Sequence, residues 1–466
     1  MESTEITGKK SYWRTLSSRE RMGWVLYDWA NSAFALCVIT VIGSAYFVAL
    51  FETAAKQAGE ARVGSEDALL LGGVAFTAEA AWSFLIGLSM LLVAVSSPFL
   101  GAIADALGKK KRFLQVYCTV GVAATLALFF PMPWWVVGLL IVLGNIGFEG
   151  GNVYYNAFLP EIVPVEDQDQ VSSAAYALGY IGGVIVLIAI LVLFTDTVLA
   201  QPVGSIRYAF ILVGLWWGGF GLITFSLLRE YTAARAGDAG AASGPGVLGH
   251  MAAAWRELKS TVGNISRVPQ AALFLLAFLL YNDGIATLIS NVTPFALQNI
   301  YLDAAKTQPI TQAELIMTII MIQLIAFPSA ILFGWLATRI GEKATLYITL
   351  AVYTGVVSFG QVVTQIGEFY WMAAAVGLVL GGSQAISRSL FASFIPQGKS
   401  AEFFAFFAFS SKFSAMAGPF IYGGLLLLTG DTRLSLLSLT VFFVAGGAVL
   451  YFVDVEKGRA DALREG

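Results

Sequence analysis

The 466-residue chain is 58% hydrophobic and only 12% charged, with a mean hydropathy of +0.76. Soluble domains carry roughly 25% charged residues, so this chain cannot cover a water-facing surface. A lipid-facing surface needs no charge at all. The net charge of −3 comes without a basic stripe of the kind that holds nucleic acid. Cys37 and Cys118 both lie in apolar runs and form neither a disulfide framework nor a CxxC metal site, so no cofactor and no metal is expected.

Along the chain, a polar segment with Lys9, Lys10, Arg14, Arg19 and Arg21 is followed by an apolar run. That run is too long for a signal-peptide core and has no small-residue cleavage site behind it, so it reads as the first membrane span. Runs of ~20 apolar residues mark bilayer-crossing helices. They are predicted over 23–50, 79–106, 113–131, 134–159, 171–195 and 207–228, then over 270–298, 313–339, 344–364, 370–394, 402–429 and 433–454. Residues 233–247 between the two sets are small, Gly-rich and linker-like. Beyond them Met251, Trp255, Leu258 and Val262 recur at helical spacing beside Arg256 and Lys259. That pattern suits a helix on the membrane surface or an amphipathic linker packed on the protein. The expected organisation is an N-terminal six-helix bundle over 1–228, a cytoplasmic linker over 229–269 and a C-terminal six-helix bundle over 270–466.

Charge asymmetry orients the spans, because cytoplasmic loops retain Lys and Arg. Lys109, Lys110, Lys111 and Arg112 follow the second span, Arg229, Arg235, Arg256, Lys259 and Arg267 lie in the central segment, and Arg339, Lys343, Lys399, Lys457, Arg459 and Arg464 fall on the same side as the N-terminal cluster. The opposite loops hold Lys56, Arg62, Arg207, Lys306 and Arg433. Both termini are therefore expected in the cytoplasm, which requires an even number of spans.

The two sets repeat one another. Gly101-Ala-Ile-Ala-Asp105-Ala-Leu-Gly108-Lys-Lys110 after the second span matches Gly334-Trp-Leu-Ala-Thr338-Arg-Ile-Gly341-Glu-Lys343 after the eighth. Ala157-Phe-Leu-Pro160 matches Ser393-Phe-Ile-Pro396, and Leu26-Tyr27-Asp28 matches Leu280-Tyr281-Asn282-Asp283. Each pair occupies the same ordinal span of its set, as in parallel repeats related by an axis along the membrane normal. The glycines of the loop motif would permit close helix approach, and Asp105 would latch one conformational state against a cation or a helix N-terminus. This motif resembles the signature between helices 2 and 3 of the major facilitator superfamily. Further stretches, Leu26 to Phe34, Tyr155 to Ile162, Gly381 to Leu390, Tyr281 to Gly284 and Phe403 to Lys412, look like the vacuole-effluxer-like branch of that superfamily, related to fungal vacuolar amino-acid effluxers. The resemblance spans essentially the whole chain. It implies an all-α membrane protein of twelve transmembrane helices in two pseudo-symmetric six-helix bundles. Thr338 stands where a full copy of the motif carries an acid, so the latch should differ between the halves.

Ionisable groups near the membrane centre cost ~2.5–3.5 kcal/mol each on insertion scales and mark function or pairing. Asp28, Glu149, Asp283 and Arg388 fall on spans 1, 4, 7 and 10, the spans that line the central cavity in the resembled fold, and Lys412 falls on span 11. Asn31 lies three residues from Asp28, and Asn145, Glu149 and Asn152 form one stripe. Gln384 and Arg388 are an i,i+4 pair. Substrate contacts are accordingly expected from Asn31, Asn145, Glu149, Asn152, Asp283, Gln384 and Arg388, coupling from Asp28, Glu149 or Asp283, and gating from Gly101, Asp105, Gly108 and Lys412. The alternative for these charges is a set of braces between helices. The single histidine, His250, lies in the central segment, so a coupling proton would ride on a carboxylate, with sodium as the other candidate ion.

No HExxH, GxSxG or phosphate-cradling loop points to an enzyme. The chain reads as a monomeric secondary transporter of a small polar or zwitterionic solute, with amino acids the leading class, in a bacterial cytoplasmic membrane. A non-transporting receptor or scaffold, or a facilitative uniporter of the same fold, is the alternative.

Overall fold

A backbone N–H or C=O left unpaired in hydrocarbon costs several kcal/mol, so each apolar run closes its own hydrogen-bond ladder as a helix. The computed structural model describes residues 18–59, 61–63, 66–193, 207–230, 268–395 and 400–465. Among them are twelve long helices. The first half comprises α1 (Arg19–Ala58), α2 (Ala78–Leu107), α3 (Lys110–Ala127), α4 (Trp134–Ile162), α5 (Val165–Leu193) and α6 (Arg207–Leu227). The second comprises α7 (Pro269–Asn299), α8 (Gln312–Ile340), α9 (Glu342–Phe359), α10 (Ile366–Ala392), α11 (Ser400–Thr429) and α12 (Thr432–Tyr451), followed by the short polar α13 (Val455–Glu465). Nine are long and apolar enough to cross a membrane on that measure alone. Of the other three, α3 and α9 are 18 residues each with charged first turns, and the apolar stretch Ala415–Thr429 belongs to α11.

Predicted and observed boundaries agree closely except in α1. That helix continues past the apolar run to Ala58, where Glu52 and Lys56 pair at 3.7 Å and support it as an i,i+4 pair outside the apolar stretch. Its middle, Phe34–Val41, is π-helical, and Thr40 Oγ1 donates to Ala35 O, five residues back, at 3.1 Å. A second departure follows α1: a three-stranded antiparallel meander, β1 (Ala61–Val63), β2 (Glu66–Leu71) and β3 (Val74–Phe76). Gly72 and Gly73, at φ +60° and +84°, supply the positive φ that a two-residue hairpin turn demands.

The packing obeys a shift of six. α1 packs on α5 and α6, as α7 packs on α11 and α12. α4 takes α2 and α3, as α10 takes α8 and α9, and α3–α6 recurs as α9–α12. Between the halves, α2 lies along α11 and α5 meets α8, the same relation with the halves exchanged. Two pseudo-symmetric six-helix bundles result. Small residues set the closest approaches: a Cβ at Gly147 of α4 would fall 2.5 Å from Gly121 Cα of α3, and one at Gly182 of α5 would fall 2.7 Å from Trp29 O of α1.

The repeated loop motif works through backbone conformation. Gly108 and Gly341 have φ +60° and +89°, and Lys109 N donates to Ala104 O at 3.0 Å, a Schellman-type closure that needs glycine. Gly334 faces open space, so close approach, expected for both glycines of this copy, does not explain it. The equivalent lysines are also offset by one from the sequence match. Lys111 Nζ donates to Leu228 O beyond α6 at 2.8 Å, while Lys343 Nζ donates to Tyr451 O and Val453 O at the end of α12 at 2.8 and 2.7 Å. Each neutralises exposed carbonyls at a helix C-terminus. Lys110 instead pairs with Glu161 at 2.6 Å, and Glu342 with Arg459 of α13 at 2.5 Å. The linker 231–267, with His250, lies outside the described residues, as do the side chains of Asp105 and Lys412.

Replacing Gly147 by valine should wedge α3 from α4 and destabilise the detergent-solubilised protein by about 1–3 kcal/mol, seen as a lowered thermal midpoint. Gly355→Ala, on a face of α9 with nothing within 4 Å, should leave that midpoint close to the parent value.

Candidate functional site

Away from the chain termini the halves are sealed. Thr293 Oγ1 of α7 donates to Thr40 O in the π-helical stretch of α1 at 2.6 Å. Trp82 Nε1 of α2 donates to Ser290 O of α7 at 2.8 Å, and Ser83 Oγ donates to Asn291 Oδ1. The Phe84 and Phe420 rings meet edge-on at 5.6 Å between α2 and α11, with Gly87 leaving room for Phe420. Just beneath this seal is a cavity of about 60 Å³ between α1, α7, α8 and α10, lined by Leu36, Leu288, Ile319, Ile322, Phe369 and Leu380. Gln323 also lines it, and its buried Oε1 has no partner among the described residues.

Toward the termini the facing surfaces turn polar. Asn31 Nδ2 of α1 donates to Asn152 Oδ1 of α4 at 2.8 Å, and Asn31 is 1% exposed. Trp24 stacks on Tyr155 with centroids 4.4 Å apart and donates its Nε1–H to Tyr155 O at 2.8 Å. Across the cleft, Arg388 Nη2 of α10 donates to Tyr176 Oη of α5 at 2.7 Å, and its guanidinium carbon lies 4.5 Å from the centroid of the same ring. One turn along both helices, Tyr180 Oη donates to Gln384 Oε1 at 3.1 Å. Asp28 and Arg388 lie within electrostatic reach of both Tyr155 and Tyr180. Arg388 of the second half thus reaches the tyrosines of the first, with Asp28 in the same electrostatic neighbourhood, and Tyr176 stays 42% exposed.

The glycines of α5 explain why this face forms. A Cβ at Gly179 would sit 2.6 Å from Ser32 Oγ and 3.2 Å from Asp28 O, so only a bare backbone lets α5 press on α1 while its tyrosines reach α10. The i,i+4 pair Tyr176 and Tyr180 was not among the expected site residues. Its signal was present as two phenols one turn apart, next to a glycine, on an otherwise apolar span.

Asn145 and Asp283 bond away from the cleft. Asn145 Nδ2 donates to Ser89 Oγ of α2 at 2.7 Å, a bond between helices of the first half. Glu149 is 8% exposed on the same stripe of α4. Asp283 is 3% exposed and turns into the second half, where Gly418 N of α11 donates to both its oxygens at 2.9 Å. On the other side of α7, Tyr281 Oη and Ser387 Oγ are hydrogen-bonded at 2.6 Å, which ties α7 to α10. Among the described residues there is no cluster of His, Cys, Asp and Glu that would hold a metal.

Comparison with known proteins adds an independent line. Residues 16–463 match the family described as vacuole effluxer Atg22 like. An uncharacterised MFS-type transporter, YxiO of Bacillus subtilis (strain 168), is 30% identical over 94% of this chain and 96% of that protein. Autophagy-related protein 22-1 of Penicillium rubens is 24% identical over 100% of this chain and 94% of that protein. Among solved structures, a mutant of the nucleoside transporter NupG superposes with a TM-score of 0.62 at 14% identity, covering 93% of this chain and 99% of that one.

The Asn31–Asn152 bond is directly testable. Asn31→Ala should leave the half-buried Asn152 amide without its partner and lower stability by about 1–3 kcal/mol. The double variant with Asn152→Ala should cost clearly less than the sum of the two single changes. Additive thermal shifts would show that the two amides do not depend on each other.

Proposed function

Because the chain belongs to the vacuole effluxer family of major facilitator transporters, we propose that it carries a small zwitterionic solute, an amino acid or a related metabolite, by alternating access. One observation carries this reading: Arg388 of the second half meets Tyr176 of the first, and Asp28 of the first half acts on the neighbouring Tyr155 and Tyr180 together with it. A cleft for an apolar cargo would not repay the cost of holding both charges at membrane depth.

In the proposed geometry the Arg388 guanidinium holds the substrate carboxylate. It has five N–H donors and gives one to Tyr176. Gln384, one turn away and bonded to Tyr180, extends the same face. Asp28, with the Asn31–Asn152 pair beside it, holds the ammonium group. The apolar cavity beneath the seal takes the remainder of the substrate. Glu149 and Asp283 are the coupling carboxylates, and a proton is the coupling ion. Gly101, Asp105 and Gly108, toward the end of α2 on the side of the termini, and Lys412, within α11, are assigned to gating.

The charge asymmetry of the loops puts both termini in the cytoplasm, so the sealed side faces outward and the polar cleft inward. The protein then works as a monomer in a bacterial cytoplasmic membrane, with domains 1–228 and 270–466 joined by the cytoplasmic linker 229–269.

A thermal-shift panel of amino acids and related metabolites, followed by flux in liposomes, identifies the substrate, since a ligand that binds the folded state raises its apparent stability. With that ligand, Arg388→Ala should abolish carboxylate-dependent binding. Arg388→Lys should weaken it by about tenfold or more, because a point charge replaces a bidentate fork. Normal binding and flux in Arg388→Ala would reduce Arg388 to a brace between α5 and α10.

A further inference from the structure

Both oxygens of Asp283 accept from the backbone amide of a different helix. Gly418 N of α11 lies 2.9 Å from each oxygen, and the Ala417 amide and the Thr287 hydroxyl are the other groups close to the carboxylate. The place on α11 is distinctive. Gly418 precedes Pro419, which lies inside the helix. Proline has no N–H for the carbonyl four residues back, and its ring crowds the preceding turn. Asp283 thus ties α11 at its weakest point. A Cβ on Gly418 would stand 2.7 Å from Asp283 Oδ1 and would collide with Thr287 Oγ1, so glycine there is what allows the contact.

Two routes run from this contact to the seal between the halves. Along α11, Phe420 lies two residues beyond Gly418 and packs on Phe84 and Gly87 of α2. Along α7, buried polar side chains follow Asp283 at successive turns: Thr287, then Ser290 and Asn291. Asn291 Nδ2 donates to Thr287 O at 3.0 Å, Asn291 Oδ1 accepts from Ser83 Oγ of α2, and Ser290 O accepts from Trp82 Nε1. Both routes end on residues 82–87 of α2, in the other half.

We infer that Asp283 is the trigger of the seal: as a carboxylate it clamps α11 to α7 at the Gly418–Pro419 break and holds the halves together, and binding of a proton releases α11 and lets the seal part. This deepens the proton-coupled reading of the transporter and rests on it for its physiological role. The chemistry is that of one proton added to a carboxylate oxygen. The charge-assisted N–H bonds to Gly418 weaken to neutral ones, about half as strong, and the protonated oxygen becomes a donor facing an amide that is also a donor. Around the carboxylate, the described groups of α11 are the Ala417 and Gly418 amides and that of α7 is the Thr287 hydroxyl. α12 presents the Phe442 and Phe443 side chains against neighbouring Gly284. Tyr281, the nearest ionisable neighbour along α7, has its hydroxyl engaged with Ser387 of α10, and the groups that α1 and α2 bring to α7 at the seal are the Thr40 carbonyl, Trp82 and Ser83. The other ionisable groups nearest the seal on these helices are Glu79 of α2, buried one turn before Ser83, and Lys412 of α11, whose side chain lies outside the described residues.

The test follows the seal itself and needs no substrate. Cysteines replacing Gln57 at the outer end of α1 and Gly367 at the start of α10, both exposed and in opposite halves, carry spin labels in the full-length protein. Cys37 and Cys118 are buried and stay unlabelled under native conditions. Distances between the labels are read by pulsed electron paramagnetic resonance, from mildly alkaline to mildly acidic buffer. In the parent protein, acid should convert a dominant short distance into a dominant long one. Asp283→Asn, a neutral mimic of the protonated acid, should show the long distance at every pH. Gly418→Ala, which wedges α11 away with the carboxylate intact, should do the same. A parent distribution that ignores pH overturns the inference even if neither variant folds. So does an Asp283→Asn protein that still responds to acid, or a response lost in Glu149→Gln and kept in Asp283→Asn. If the seal behaves as expected while Arg388→Ala transports normally, the trigger stands and the zwitterion reading falls.

Discussion

Lipid offers no hydrogen bonds, so every polar group in this protein that lies at membrane depth must find its partner inside the protein. That constraint first makes the helices, since a helix satisfies its own backbone. It then governs the side chains, because each Asn, Ser, Thr or carboxylate on a span has to reach a neighbouring helix or water. The bonds Asn31–Asn152, Asn145–Ser89 and Tyr281–Ser387 each tie two helices within one half. Asp283 extends the rule to the backbone, where a proline weakens the ladder of α11 and a side chain from α7 takes up the adjacent amide. Polar residues on these spans are connectors between helices, and their positions trace the assembly.

Close packing supplies the second half of the account. With lipid as solvent there is little hydrophobic force between helices, and contact depends on how near two backbones can come. Gly147 on Gly121, Gly182 on Trp29 O and Gly377 on Ile322 O are such approaches. They recur within both halves and hold each half as a unit. Between the halves the contacts are of another kind: an aromatic edge at Phe84 and Phe420, a few hydrogen bonds at the seal, and the arginine–tyrosine contact in the cleft. Rigid units that meet along α2–α11 and α5–α8 suit a rocking motion, and Arg388 stays reachable on the side that is not sealed.

The repeat of the main packing partners under a shift of six sits beside clear asymmetries in chemistry. Lys110 pairs with an acid where Glu342 pairs with a base, and the lysines that cap α6 and α12 sit one residue apart in the matched motif. Asp28 aligns with Asn282 in the second repeat, and Asp283 stands one residue further on, about 100° around the helix. The two acids therefore face different neighbours: Asp28 lies near Tyr155 and Tyr180, while Asp283 meets α11.

Spans, repeat, fold class and the polar helix faces were all legible in the sequence, because apolar length and helical periodicity are local properties that one dimension records in full. Asp28, Asn31, Asn152, Gln384 and Arg388 could be picked out on the same ground: a charge or amide in an apolar run must have a reason. The partner of each group could not be read there. Asp283 looked like a cavity acid until α11 was seen to lie against it, Tyr176 and Tyr180 gained meaning only once α5 faced α10, and the π-helical stretch of α1 and the small β-meander carried no periodic signal. Partners are fixed by which helix faces meet across tens or hundreds of residues, 135 in the case of Asp283 and Gly418, and that choice is made by the packing of the whole bundle. The sequence by itself determined that this is a duplicated bundle of membrane helices with costly charges inside; only the tertiary structure decided which charges face each other and which hold the bundle together.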